Sequence, residues 1–295
     1  MTTNTGGYEH HFIQTNGMTL HVVMAGPADG PPIILLHGFP ECWFGWHKQI
    51  PALAAQGFRV IVPDQRGYNL SDKPRSVAAY HLDELAKDVV GLMDALGYQD
   101  VYLAGHDWGA VVGWWLALYF PQRLRKLAIL NVPFPTVAVE AIRAGNREQM
   151  RKSWYVLAFQ LPWLAERGFR QQNVGEGRNI LRRTSHKNTF TEAELMVYEH
   201  AWEKPGAVTA MLNWYRANLR LFLTTPSPPP GSVQTPTLML WGEQDRALGK
   251  ELAPPSIALC ADGRLVLFPD ASHWLQHDEA EAVNRRLAEF FQPAG

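Results

Sequence analysis

The sequence predicts an α/β protein, a mostly parallel sheet flanked by helices and interrupted by an inserted helical lid. Two observations lead there. Short apolar runs of strand length alternate with stretches of helical period, the pattern of a parallel sheet with crossover helices. Between residues 135 and 223 strand character almost disappears, and helical patterns rich in arginine and aromatic residues replace it.

Taken in order, strands are expected at 20–24 and 33–36, ahead of the turn His37-Gly38-Phe39-Pro40-Glu41, and at 60–62, ahead of Asp64-Gln65-Arg66-Gly67. Leu82, Leu85, Val89, Leu92 and Leu96 recur at helical spacing and predict a helix over 80–96. A strand at 101–104, a helix at 111–118 and a strand at 127–130 follow, and Asn131-Val132-Pro133-Phe134-Pro135 then ends regularity. The lid concentrates aromatics at Trp154, Tyr155, Trp163, Trp202, Trp214 and Tyr215. It closes on a proline-rich stretch at 224–232, stiff and extended by composition, after which strands resume at 237–241 and 265–268. The expected division is a core of 1–134 and 233–295 around a lid with its return connector at 135–232.

Bulk properties narrow the function classes. A chain of 295 residues with 46% hydrophobic composition can fill a sizeable interior. A net charge of -1 without a dense basic cluster suggests neither nucleic acid nor an anionic membrane surface as partner. A small neutral ligand fits better. Cys42 and Cys260 are too few for a disulfide framework, lie in no metal-ligand spacing and read as packing residues in a reducing compartment. The N-terminus lacks a basic-then-apolar leader, and the longest apolar stretch, 110–120, is too short to span a bilayer. A soluble cytoplasmic protein without metal or cofactor is expected; a homodimer is left open.

The chemistry concentrates at Gly105-His106-Asp107-Trp108-Gly109, an apolar strand running into a glycine-flanked turn with a carboxylate where serine hydrolases of this shape place a hydroxyl. An aspartate, with an ordinary pKa of about 3.9, is already ionised at neutral pH and can attack saturated carbon unaided. The product is an ester of the protein's own carboxylate. Its hydrolysis needs a base, and His273, just after the last strand, is the candidate, with Asp245 preferred over Glu243 to orient it. The competing role for Asp107 is an ordinary helix cap, which this glycine pattern disfavours. Oxyanion donors are expected from the amides of Trp108 and Phe39, the latter held by Pro40. His37 and His106 are expected to brace the turns, and His277 to pack or face solvent.

Together, Gly105-His106-Asp107-Trp108-Gly109, His37-Gly38-Phe39-Pro40-Glu41, Asp245 and His273 resemble the α/β-hydrolase-fold epoxide hydrolases, over nearly the whole chain. In that family two lid tyrosines hydrogen-bond the oxirane oxygen. The resemblance implies Tyr155, in Ser153-Trp154-Tyr155, and Tyr215, in Asn213-Trp214-Tyr215-Arg216, for those places. The physical need is plain, since ring opening leaves an alkoxide and a phenol of ordinary pKa about 10 stays protonated to meet it. Trp154 and Trp214 are assigned to packing. Phe39, Trp108, Tyr155 and Tyr215 are expected to touch a small hydrophobic epoxide, with water as co-substrate.

Haloalkane dehalogenases resemble the chain next best, sharing fold and nucleophile. In most of them an Asn in the first turn helps cradle the halide, whereas Phe39 has no side-chain donor. Fluoroacetate dehalogenases carry Arg where this chain has Trp108. A non-catalytic ligand-binding protein on the same fold is the alternative of another class, and the completeness of the constellation argues against it.

Overall fold

The computed structural model describes residues 3–5 and 7–292. Its strands are β1 (Thr3–Thr5), β2 (Tyr8–Thr15), β3 (Met18–Ala25), β4 (Pro32–Leu36), β5 (Arg59–Pro63), β6 (Val101–His106), β7 (Leu124–Leu130), β8 (Thr237–Gly242) and β9 (Gly263–Phe268). They form one sheet in the order β1-β2-β3-β5-β4-β6-β7-β8-β9. Pairing is antiparallel from β1 through β3 to β5 and parallel from β5 to β9.

Every residue of β4, β5, β6 and β8 is buried. That explains their unbroken apolar runs, because a parallel sheet carries helices on both faces and has no wet side. Ile34, Leu36, Ile61 and Leu103 belong to one packed layer, Ile33, Leu35, Val60 and Val62 to the other. This is the two-residue period of a strand.

Helices α1 (Gln49–Ala55), α2 (Leu82–Ala95) and α3 (Trp108–Tyr119) belong to the first half of the core. The segment after β7 holds α4 (Pro135–Arg143), α5 (Arg147–Lys152), α6 (Trp154–Ala158), α7 (Leu164–Thr184), α8 (Glu192–Trp202) and α9 (Ala207–Thr224). The chain then returns to β8, α10 (Ala253–Ile257), β9, α11 (Leu275–Asp278) and α12 (Ala280–Phe291). The fold is thus an α/β hydrolase with an inserted helical cap. The cap is tied down by Asn218 of α9, buried, whose side chain accepts from the Leu82 amide at 2.9 Å and donates to the Tyr80 carbonyl at 2.9 Å.

Sequence order reverses around β4, which lies between β5 and β6. In open α/β sheets a ligand crevice lies outside the carboxyl ends of the strands at such a switch point. The turn 37–41 leaves β4 there, and Asp107 follows β6. No helix among the described residues is long and apolar enough to cross a membrane.

Candidate active site

Asp107 stands between β6 and α3 with φ 49° and ψ -123°, a conformation a non-glycine residue adopts only when its surroundings force it. The surroundings are glycines. A Cβ on Gly109 would lie 2.1 Å from the Leu36 carbonyl oxygen, and one on Gly38 would lie 2.3 Å from the Asp107 Cβ. The strand end, the helix start and the turn after β4 can therefore meet around one carboxylate.

That carboxylate is held on one side and free on the other. The Phe39 amide donates to Asp107 Oδ1 at 2.6 Å, and the Phe39-Pro40 bond preceding Glu41 is cis. Oδ2 faces His273 Nε2 at 3.6 Å. His273 Nδ1 is 2.7 Å from Asp245 Oδ2, while Asp245 Oδ1 accepts from the amides of Ala247 at 2.7 Å and Leu248 at 2.9 Å. His273 is buried between two carboxylates. Glu243 points elsewhere, pairing with Lys250.

Burial opposes ionisation of each of these groups, but pairing outweighs it. Asp107 is held below the usual carboxylate range because His273 and the Phe39 amide overcome its desolvation. Asp245 is lowered likewise, burial being outweighed by His273, Asn131 and the Leu248 amide. His273, whose burial favours the neutral ring, is pushed up to about 10 by Asp245 and Asp107.

Asn131 is a member the sequence reading missed. Buried at φ 55° just after β7, it donates to Asp245 Oδ2 at 2.9 Å and accepts from the Gly242 amide at 3.0 Å. Its signal was present: an asparagine directly after an apolar strand tolerates the left-handed conformation such a position needs.

Across the cavity stand the two lid tyrosines, Tyr155 on α6 and Tyr215 on α9, with ring centroids 6.1 Å apart. Both line a cavity of about 410 Å³ together with Asp107 and Trp108. Tyr215 packs edge-on against Trp108 at 5.0 Å and against Phe39 at 5.4 Å. Burial, with the nearby Asp107 charge adding, raises both phenols above their ordinary value of 10. Both phenols therefore stay protonated at neutral pH. Phe39 turns its ring into a cluster with Phe159, Phe169 and Tyr215, so the part of it nearest Asp107 is its amide.

One expectation needs correction. Trp154, assigned to packing, is 67% exposed and lines the cavity mouth; Trp214 does pack, its indole donating to the Arg66 carbonyl at 3.0 Å. His277, expected to pack or face solvent, is buried with Nε2 2.7 Å from Glu41 Oε1. Glu41 also accepts from the Tyr198 hydroxyl at 2.8 Å and Gln276 Nε2 at 3.1 Å, so a carboxylate from the first turn gathers both lid and C-terminal groups. Its pKa is low: burial would raise it, and His277 and His106 more than reverse that. His106 Nε2 lies 2.8 Å from the His273 carbonyl, and His37 accepts from the Gln65 amide at 3.1 Å, so both brace turns.

Fold and strand-end constellation together define the class, an α/β hydrolase, and the family model described as alpha/beta hydrolase fold matches residues 31–280. The AB hydrolase superfamily protein YfhM of Bacillus subtilis (strain 168) is 41% identical, covering 97% of this chain and 99% of its own length. Epoxide hydrolase 4 of Homo sapiens is 35% identical over 95% of this chain and 77% of its own. Among solved structures, an epoxide hydrolase from Bacillus megaterium in complex with an inhibitor superposes with a TM-score of 0.86 at 29% identity, covering 95% of this chain and 99% of that one. The chain belongs to the α/β-hydrolase-fold epoxide hydrolase family.

Proposed function

We propose that the protein hydrolyses a small hydrophobic epoxide to a vicinal diol in two steps. The observation that carries this reading is the opposition of two protonated phenols, Tyr155 and Tyr215, to an ionised Asp107 across one cavity. In the first step Asp107 Oδ2, the oxygen not held by the Phe39 amide, attacks a ring carbon. The carbon–oxygen bond of the ring breaks, and the oxygen takes a proton from a tyrosine hydroxyl, leaving an alkyl ester on Asp107.

In the second step water adds to the ester carbonyl carbon and gives its proton to His273 Nε2. The Asp245 carboxylate holds the ring through Nδ1 at 2.7 Å. The oxyanion is met by the Phe39 amide and by the Trp108 amide at the start of α3, whose helix end points toward the site. As the tetrahedral intermediate collapses, the bond from the carboxyl carbon to Oδ2 breaks, the departing oxygen takes the proton from His273 Nε2 and leaves in the diol, and the proton left on the new Asp107 carboxyl passes to His273, which restores the carboxylate. Esterification also matters for His273: with Asp107 neutral, one of the two charges that keep its ring protonated is gone, and its proton passes to the tyrosinate left by the first step, which frees the ring to act as a base.

Single turnover in heavy-oxygen water tests the scheme. Label is expected in the Asp107 carboxylate and not in the first diol released. Label appearing directly in that diol means direct water attack and overturns the covalent route. Comparing styrene oxide with 1-bromobutane separates ring opening from dehalogenation, since bromide release outpacing diol formation would favour the second activity.

A further inference from the structure

Within residues 150–164 the side chains of Met150, Trp154, Leu157, Leu161, Trp163 and Leu164 all stand exposed, Trp163 at 85%. Elsewhere in the described chain large exposed apolar side chains occur singly. Scattered ones need no explanation, but a cluster of this size marks a surface that meets something apolar. Met150, Trp154 and Leu157 also line the catalytic cavity, so the patch continues into its mouth.

The charge around it is not the charge of the whole protein. Residues 143–167 contain five Lys or Arg and two Glu, although the chain as a whole carries -1. Lys152 pairs with Glu148, and Glu166 with Arg216 of α9. Arg143, Arg147, Arg151 and Arg167 are exposed and have no carboxylate partner among the described residues. Tryptophan and leucine flanked by unpaired arginines is the composition of a segment that lies in a lipid interface.

We propose that this face of the cap, residues 143–167, docks on an anionic lipid surface, with the cavity mouth opening onto the lipid. A protein seated there would close the mouth; a lipid phase would supply it, because an apolar oxirane partitions into the same medium. The supply of substrate rests on the epoxide reading, whereas docking does not. This departs from the expectation drawn from net charge, which averages the local imbalance away.

Flotation with phosphatidylcholine vesicles, with and without phosphatidylglycerol, tests the proposal. The wild-type chain is expected to float with the mixed vesicles and less with the neutral ones. The triple substitution Leu161→Ser, Trp163→Ser, Leu164→Ser, none of which lines the cavity, should lower the bound-to-free ratio by at least about tenfold. Arg147→Glu with Arg151→Glu should abolish the preference for anionic vesicles and its weakening by salt. Both variants should turn over water-dissolved styrene oxide as the wild type does. Flotation with no styrene oxide turnover would remove the epoxide reading and leave docking standing. Wild type that does not float, or a triple variant that floats equally well, overturns the proposal. So does sedimentation equilibrium in which the wild type is a dimer that the triple substitution splits, since the patch then covers a second copy of the chain.

Discussion

On the sheet side of the cavity, Asp107, Asp245 and His273 are each fixed by strand-end loops at hydrogen-bond distances of 2.6 to 2.9 Å, with Asn131 and backbone amides bracing the carboxylates. On the lid side, Tyr155 sits on a five-residue helix with no buried residue, and its neighbour Trp154 stands in solvent. The difference assigns different work to the two walls. Groups that carry charge through a reaction must be oriented before it begins, because a dipole that reorients during the reaction gives back what it stabilises. Groups that meet a ligand's apolar body need only be near and adaptable.

The sharpest way to break this contrast is to strip each wall in turn. His273→Gln should still form the ester with a reactive epoxide, so intact-protein mass should rise by one substrate while turnover drops by about 10⁴-fold or more. Absence of the adduct would move His273 into the first step. Tyr155→Phe and Tyr215→Phe should each slow alkylation by about 10² to 10⁴-fold, with the double variant below either and ester hydrolysis far less affected. Rapid-quench measurement of the two steps checks both. If single tyrosine losses leave alkylation unchanged, the lid supplies shape only.

Glu41→Ala takes the comparison to stability. It removes the partner of His277 and Tyr198 inside the protein, and breaking such a buried pair typically costs about 3–5 kcal/mol, read from urea unfolding. Leu157→Ala, on the exposed rim, should move stability by less than about 0.5 kcal/mol.

The smallest effect is a shift of titration. In the native state His273 titrates near 10, above its ordinary 6.5, so its contribution to stability is complete below about pH 6.5 and is lost as pH rises through about 10. Asp107 and Asp245 act in the opposite sense, contributing above the ordinary carboxylate pKa and losing that contribution as pH falls through their lowered values. Asp107→Asn imitates the charge of the ester and should lower the His273 titration seen by ring-proton NMR. An unmoved titration would mean Asp245 alone keeps the ring protonated.

How much of this was legible in the sequence followed the same divide. The parallel strands read well because burial on both faces makes them continuous apolar runs, and the elbow at Asp107 read well because Gly105 and Gly109 mark its crowding. The antiparallel edge β1 and β2 went unread: β2, Tyr-Glu-His-His-Phe-Ile-Gln-Thr, is largely half-exposed and alternates weakly. Helix α12 has apolar positions at helical spacing that were not picked out beyond the last expected strand. Glu41 and His277 lie 236 residues apart in the chain, and no local pattern announces that they touch. Trp154 could not be told from Trp214, because an aromatic on a short helix looks alike whether it faces the core or the water.

The bond from Tyr198 to Glu41 has a mechanical corollary. Tyr198 and Trp202 fasten α8 to the turn that carries the Phe39 amide, the Trp202 indole donating to the Pro40 carbonyl at 2.5 Å, and Arg178 grips Glu199 with two bonds of 2.7 Å and so fastens α7 to α8. A cap riveted in this way cannot swing as one piece without dragging the turn after β4 along. Helix α5 is fastened as well, to the loop after β8: Gln149 donates to the Ala247 carbonyl at 3.1 Å and accepts from the Gly249 amide at 2.9 Å, and Lys152 donates to the Asp245 carbonyl at 3.1 Å. The lid is thus pinned both to the turn after β4 and to the loop after β8, and whatever displaces it displaces a wall of the cavity with it.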